Sequence, residues 1–225
     1  MSSALQVDTR RRNLYAACFA AGIVPYLING YINARIASSP ALYWTFELLC
    51  WLAAPAVVLL VLVRGGLRFA EIGLNGRIFG RDSVGLVILM CLVMCLLCAW
   101  VYHLALGLSR ALLPDNPLFE YQSIVPQSGA AHTLAALYLA LSAGIVEEIY
   151  FRGLLHKLAG WAARPVAAYL ALSPLLFASV HWETGWAGTA AAYLFGLFTA
   201  LAFLLMRNLW PLIAGHFYTD YILYG

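Results

Sequence analysis

Residues 143–153 run Ala143-Gly144-Ile145-Val146-Glu147-Glu148-Ile149-Tyr150-Phe151-Arg152-Gly153, inside an apolar stretch over 132–155. That stretch has the length of a membrane-crossing helix, which needs about 20 residues. Ionisable side chains within such a helix are costly in hydrocarbon, so they face a protein interior and mark function or a buried pair. The segment therefore decides the fold class. The chain is an all-α, polytopic transmembrane helix bundle with a polar centre.

The rest of the chain agrees. It has 225 residues, 64% of them hydrophobic, 14% aromatic and only 10% charged. Soluble domains hold about 45–50% apolar and about 25% charged residues. Those proportions exclude a soluble globular enzyme and a disordered or collagen-like chain. A net charge of +3 gives no basic patch for nucleic acid. Seven apolar segments are expected to be helices, at 14–34, 41–63, 84–109, 132–155, 166–182, 186–207 and 209–225. The last is short for a full crossing. Residues 1–131 are expected to supply amino-terminal helices and connectors, and 132–225 the catalytic core, as one continuous membrane domain.

Basic residues predict the orientation. With the amino terminus in the cytoplasm, eleven of the thirteen basic residues fall on inside segments, and only Arg35 and Arg110 fall outside. That distribution follows the positive-inside rule and points to a multi-pass protein of the plasma membrane. No cleavable signal peptide is expected, because the amino terminus is polar and its first apolar run lacks a clear cleavage site. No internal repeat of the secondary-transporter kind is visible. The connector 64–83 contains the amphipathic stretch 67–74, which suits the cytoplasmic surface. The connector 110–131 suits either a plain link or an outer cap that guides substrate.

The five cysteines all sit in apolar runs. Cys95 and Cys98 have CxxC spacing, but no second pair lies near at metal-ligand spacing. Cys91, Cys95 and Cys98 share a helical stripe and read as small packing residues.

On the fourth helix Glu148 and Arg152 stand at i, i+4 with the acid first, the favoured order for an ion pair. Adjacent residues point about 100° apart, so Glu147 must face elsewhere. His181 ends the fifth segment. His216 and Asp220 share one face of the seventh. Counting from the turn at Gly160 to Pro165, Glu147 and His181 lie about 20 and about 24 Å deep, while His216 and Asp220 lie about 14 to 20 Å beyond Arg207. One polar site near mid-depth can hold all four. Glu47 and His103 stand apart and are expected to form a structural bond between helices two and three. Tyr193, Phe195, Gly196 and Phe198 suit a lipid-facing gate or core packing equally.

Three patterns in order, Glu147-Glu148-x-x-x-Arg152-Gly153, Phe177-x-x-x-His181 and His216-x-x-x-Asp220, resemble the motifs of the CAAX-protease and bacteriocin-processing family, also called the Abi family. The flanks Tyr150-Phe151-Arg152-Gly153-Leu154-Leu155 and Leu209-Trp210-Pro211 resemble it too. The likeness covers about residues 132–220. It implies an intramembrane glutamic endopeptidase, with Glu147 activating water and His181 holding and polarising that water. It implies that His216 and Asp220 stabilise the oxyanion, and that Glu148 and Arg152 support the first motif. The substrates it implies are peptides or proteins with a membrane-associated tail, CAAX-like or a sorting tail, or a leader. The sequence departs from the family pattern at Asp220, where Asn is common. An ionised carboxylate cannot donate to an oxyanion, so Asp220 either is protonated or orients His216.

The residues independently suit peptide hydrolysis, which needs an activated nucleophile and oxyanion donors. Ser142 and Ser179 lie near the motifs but read as packing or backbone-bonded serines. No cofactor is expected. The alternatives are a zinc metalloprotease with Glu147, His181 and His216 as ligands, although HExxH is absent, and a non-enzymatic immunity or proton-coupled transport protein.

Overall fold

The computed structural model describes residues 3–225, with side chains from residue 9 onward apart from 121 and 122. Among the described residues seven main helices form, where the apolar segments predict them. They are α1 (Ser3–Ile36), α2 (Pro40–Arg64), α3 (Val84–Leu112), α4 (Gly129–Ala159), α5 (Pro165–Ser179), α6 (Gly185–Met206) and α7 (Trp210–Tyr224). Five are long and apolar enough to cross a membrane. The protein is an integral membrane protein. At 15 residues each, α5 and α7 span about 22 Å, less than a ~30 Å hydrocarbon core. The two short helices sit where the polar site is.

Local chemistry fixes the ends. Proline opens α2, α5 and α7, where its missing N–H costs nothing. Ser83 caps α3, its hydroxyl accepting from the Leu86 N–H at 3.2 Å. Gly66, at φ +90°, closes α2. The Leu67 N–H bonds back to the Leu62 carbonyl and Gly66 to Val63, both at 2.9 Å, the doubled bonding that a left-handed residue permits.

Two helices widen into π turns, α2 over Leu49–Ala53 and α4 over Glu148–Leu154. A π turn shifts carbonyls out of the i→i+4 ladder, and side chains serve them here. Tyr26 donates to the Cys50 carbonyl at 3.3 Å and Ser173 to the Phe151 carbonyl at 2.8 Å.

The connector 64–83 differs from expectation. Its stretch 67–74 forms only a 3-10 turn (Phe69–Ile72), and it is tucked into the bundle rather than laid on a membrane surface. Leu67, Ile72 and Ile78 are buried. Gly153 explains the depth, since a Cβ there would stand 2.8 Å from the Ile72 carbonyl oxygen. Glu71 then draws Arg68 and Lys157 to 2.9 Å and Arg11 to 3.6 Å, tying α1 and α4 to the connector. A hairpin, β1 (Arg77–Ile78) with β2 (Arg81–Asp82), follows.

Burial alone would raise the Glu71 carboxyl. The hydrogen bonds from Lys157 and Arg68 and the charges of Lys157 and Arg11 outweigh it and hold the group below its ordinary range. A depressed carboxyl contributes stability above its unfolded pKa of about 4.3 and loses it as pH falls through the folded value. Glu71→Gln is expected to lower Tm by a few degrees at pH 7. The gap to the parent should close below pH ~4, as read in thermal melts of detergent-solubilised protein.

α3 packs along α6 and α7, and α5 packs on α6. Gly215 allows close approach, because a Cβ there would sit 2.7 Å from the Met94 carbonyl oxygen. The stripe of cysteines lies at this seam. Cys95 bonds the Ala214 carbonyl at 3.4 Å and all five cysteines are free thiols.

Candidate active site

The connector after α3 is a cap rather than a plain link. The Leu118 N–H donates to the Glu183 carbonyl at 2.7 Å and the Ala187 N–H to the Pro114 carbonyl at 3.2 Å. Phe119, buried, stacks on Tyr43. Beneath it lies a chamber of about 470 Å³, within the range of small-ligand sites.

Glu147 stands at the junction of the α and π portions of α4 and is 4% exposed. Its Oε2 lies 3.8 Å from His216 Nε2 and 3.9 Å from His181 Nε2. That oxygen has no hydrogen bond to any described residue, and Glu147 lines the chamber. Glu148 turns away from the chamber, as the 100° step requires. It sits 3.2 Å from Arg152 Nη1, both fully buried.

His181 lies beyond α5, not at its end as expected. The helix stops at Ser179, and His181 precedes a 3-10 turn (Trp182–Thr184). Its Nδ1–H donates to the Phe177 carbonyl at 2.7 Å and its ring lies on Phe177. His216 Nδ1–H donates to Glu148 at 2.9 Å. A carbonyl and a carboxylate only accept, so both rings carry hydrogen on Nδ1, leaving both Nε2 atoms facing Glu147.

Glu148, expected to support the first motif, is the partner of His216 Nδ1. Asp220 does not hold Nδ1. Its Oδ2 lies 3.6 Å from His216 Nε2, on the chamber side. Arg152 meets Thr199 through Nη2 and covers the Phe177 ring at 4.2 Å, a cation–π contact that gains strength where water is excluded. Thr199 had no signal in the sequence beyond being one of two threonines in an apolar helix. Phe195 is core rather than gate, 1% exposed and packed edge-on against His216. Tyr193 is exposed. Glu47 and His103 do not pair. His103 is exposed, whereas Glu47 is buried and accepts from Tyr43 at 3.3 Å. Among the described residues no three His, Cys, Asp or Glu side chains group as metal ligands.

Residues 129–222 match the family model described as type II CAAX prenyl endopeptidase Rce1-like. The resemblance carried by the three motifs is thereby shown over this segment. The Rce1-like segment holds all six expected site residues, Glu147, Glu148, Arg152, His181, His216 and Asp220, and the match implies a protease. No curated protein and no solved structure matches the chain.

Proposed function

We propose that the protein is a glutamic-type intramembrane endopeptidase in which Glu147 activates a water held between its Oε2 and the two imidazole Nε2 atoms. The observation that carries this is the open Glu147 oxygen, set between His181 and His216 and facing the chamber. The water attacks the scissile carbonyl carbon as Glu147 takes its proton. His216, protonated on Nε2 as well as on Nδ1, donates to the water and then to the developing oxyanion, and the proton on Glu147 passes to the departing amine.

Asp220 shares the His216 side of this reaction. As an un-ionised acid it supplies the same donor that Asn supplies in the family pattern. Asp220→Asn is expected to retain cleavage within about threefold, and Asp220→Ala to lose about 10²–10³-fold, the usual cost of an oxyanion donor. Equal loss in both variants would assign the position to an obligatory carboxylate instead.

The eleven-to-two split of basic residues supports an amino terminus in the cytoplasm. Arg68, Lys157 and Arg207 then share the inner end, and the chamber, lined by residues of the connector between α3 and α4, lies toward the outer end. That favours a sorting tail or leader displayed on the outer side of the plasma membrane over a prenylated cytoplasmic tail. The test is hydrolysis of membrane-tail peptides by the purified protein in proteoliposomes, before and after chelator treatment. Cleavage that survives chelation supports the proposal, and loss restored by added zinc overturns its metal-free chemistry.

A further inference from the structure

Part of the chamber wall belongs to α1 and α2, outside the matched segment. Glu47 lines it at 2% exposure and Trp51 at 9%. They stand four residues apart on α2, with Trp51 inside the π turn Leu49–Ala53. The Trp51 indole N–H has no acceptor among the described residues. The carbonyl of Cys50, the preceding residue in the π turn, is taken by Tyr26. The Tyr26 ring in turn lies 4.6 Å from the indole, fixing it in place. Glu47 receives one hydrogen bond, from Tyr43 at 3.3 Å, and a carboxylate accepts about four. A buried donor left open is unfavourable, and an occupant that accepts from it would relieve that cost.

Charge identifies the occupant. Besides Asp220, un-ionised in the reaction proposed above, the residues lining the chamber include five carboxylates, Glu47, Asp115, Glu120, Glu147 and Glu183, and one guanidinium, Arg110, which is engaged by Asp115 at 2.7 Å. Such a chamber repels an anionic segment and attracts a cationic one. One residue type satisfies both wall groups. A lysine or arginine of a peptide offers its backbone carbonyl to the Trp51 N–H and its cationic head to Glu47.

Resting on the protease reading above, we infer that Glu47 and Trp51 form a specificity subsite that takes a basic residue of the substrate peptide. Glu47 sets the charge preference, and Trp51 holds the chain.

The test separates binding from cleavage. Full-length Glu147→Gln protein in detergent is offered a synthetic library of peptides with a common apolar tail and one varied position, scanned along the chain. Bound members are read by mass spectrometry. Lysine and arginine members should be enriched about tenfold over norleucine members at one position. Adding Glu47→Gln should abolish that preference. Tyr43→Phe, which keeps the carboxylate, should preserve it and so controls for folding around Glu47. Trp51→Phe should weaken all bound members severalfold without changing the preference. Equal capture of lysine and norleucine members, a preference that survives Glu47→Gln, or no capture at all overturns the inference. Wild-type protein is then given the captured peptides. Binding without hydrolysis would overturn the protease reading and leave the subsite standing.

Discussion

Glu147→Gln is expected to lower the rate of peptide cleavage by about 10²–10⁴-fold, the usual contribution of a positioned general base. The substitution is nearly isosteric, so the chamber keeps its shape. On the proposed mechanism it removes the carboxylate that takes a proton from water and carries it to the amine. Folding should survive it, since the Oε2 that is altered holds no hydrogen bond to a described residue. A buried carboxylate without such a bond disfavours the folded state, so Tm should stay level or rise. That pairing of lost turnover with intact or improved stability is the trade-off expected of a group kept for chemistry. Cleavage kinetics and thermal melts of the same preparation check both halves. Turnover within a few fold of the parent would remove Glu147 from the mechanism.

Much of this was legible in the sequence because hydrophobic length is a strong signal. Seven apolar runs broken by Pro, Gly and charge became seven helices, with ends within a few residues for α2 to α7. The pairing of Glu148 with Arg152 followed from helical spacing, and it survives the π turn in which both residues lie. What was not legible depended on contacts between helices. Spacing alone could not say that Glu148 reaches across to His216, because those residues are 68 positions apart. Glu47 was assigned to His103 from estimated depth alone. Depth does not determine which face of α3 points to lipid, and His103 lies on that face. The stretch 67–74 has the alternation of a surface helix, but Gly153 opens a gap that lets Ile72 enter the bundle instead. Both π turns were invisible to a 3.6-residue period, and each falls beside a chamber carboxylate.

Arg152→Leu is expected to destabilise the protein by about 3–5 kcal/mol, the cost of leaving half of a buried ion pair behind. The guanidinium is fully buried and holds Glu148, Thr199 and the Phe177 face at once. Its Nε has no hydrogen-bond acceptor among the described residues, so the arrangement is not optimised for stability. Removing Glu148 as well should therefore recover part of the loss, since two leucines replace the pair without stranding a charge. Activity should not follow. The double variant Glu148→Leu with Arg152→Leu leaves the His216 Nδ1–H without its carboxylate, so the ring is free to turn its Nε2 away from Glu147. Supporting groups that orient a reactive imidazole commonly contribute 10–100-fold, and cleavage should remain down by at least that much. The chain Arg152–Glu148–His216 would then be a positioning device, kept for the direction it gives an imidazole. Recovery of stability and cleavage together would show instead that the ion pair serves only the fold.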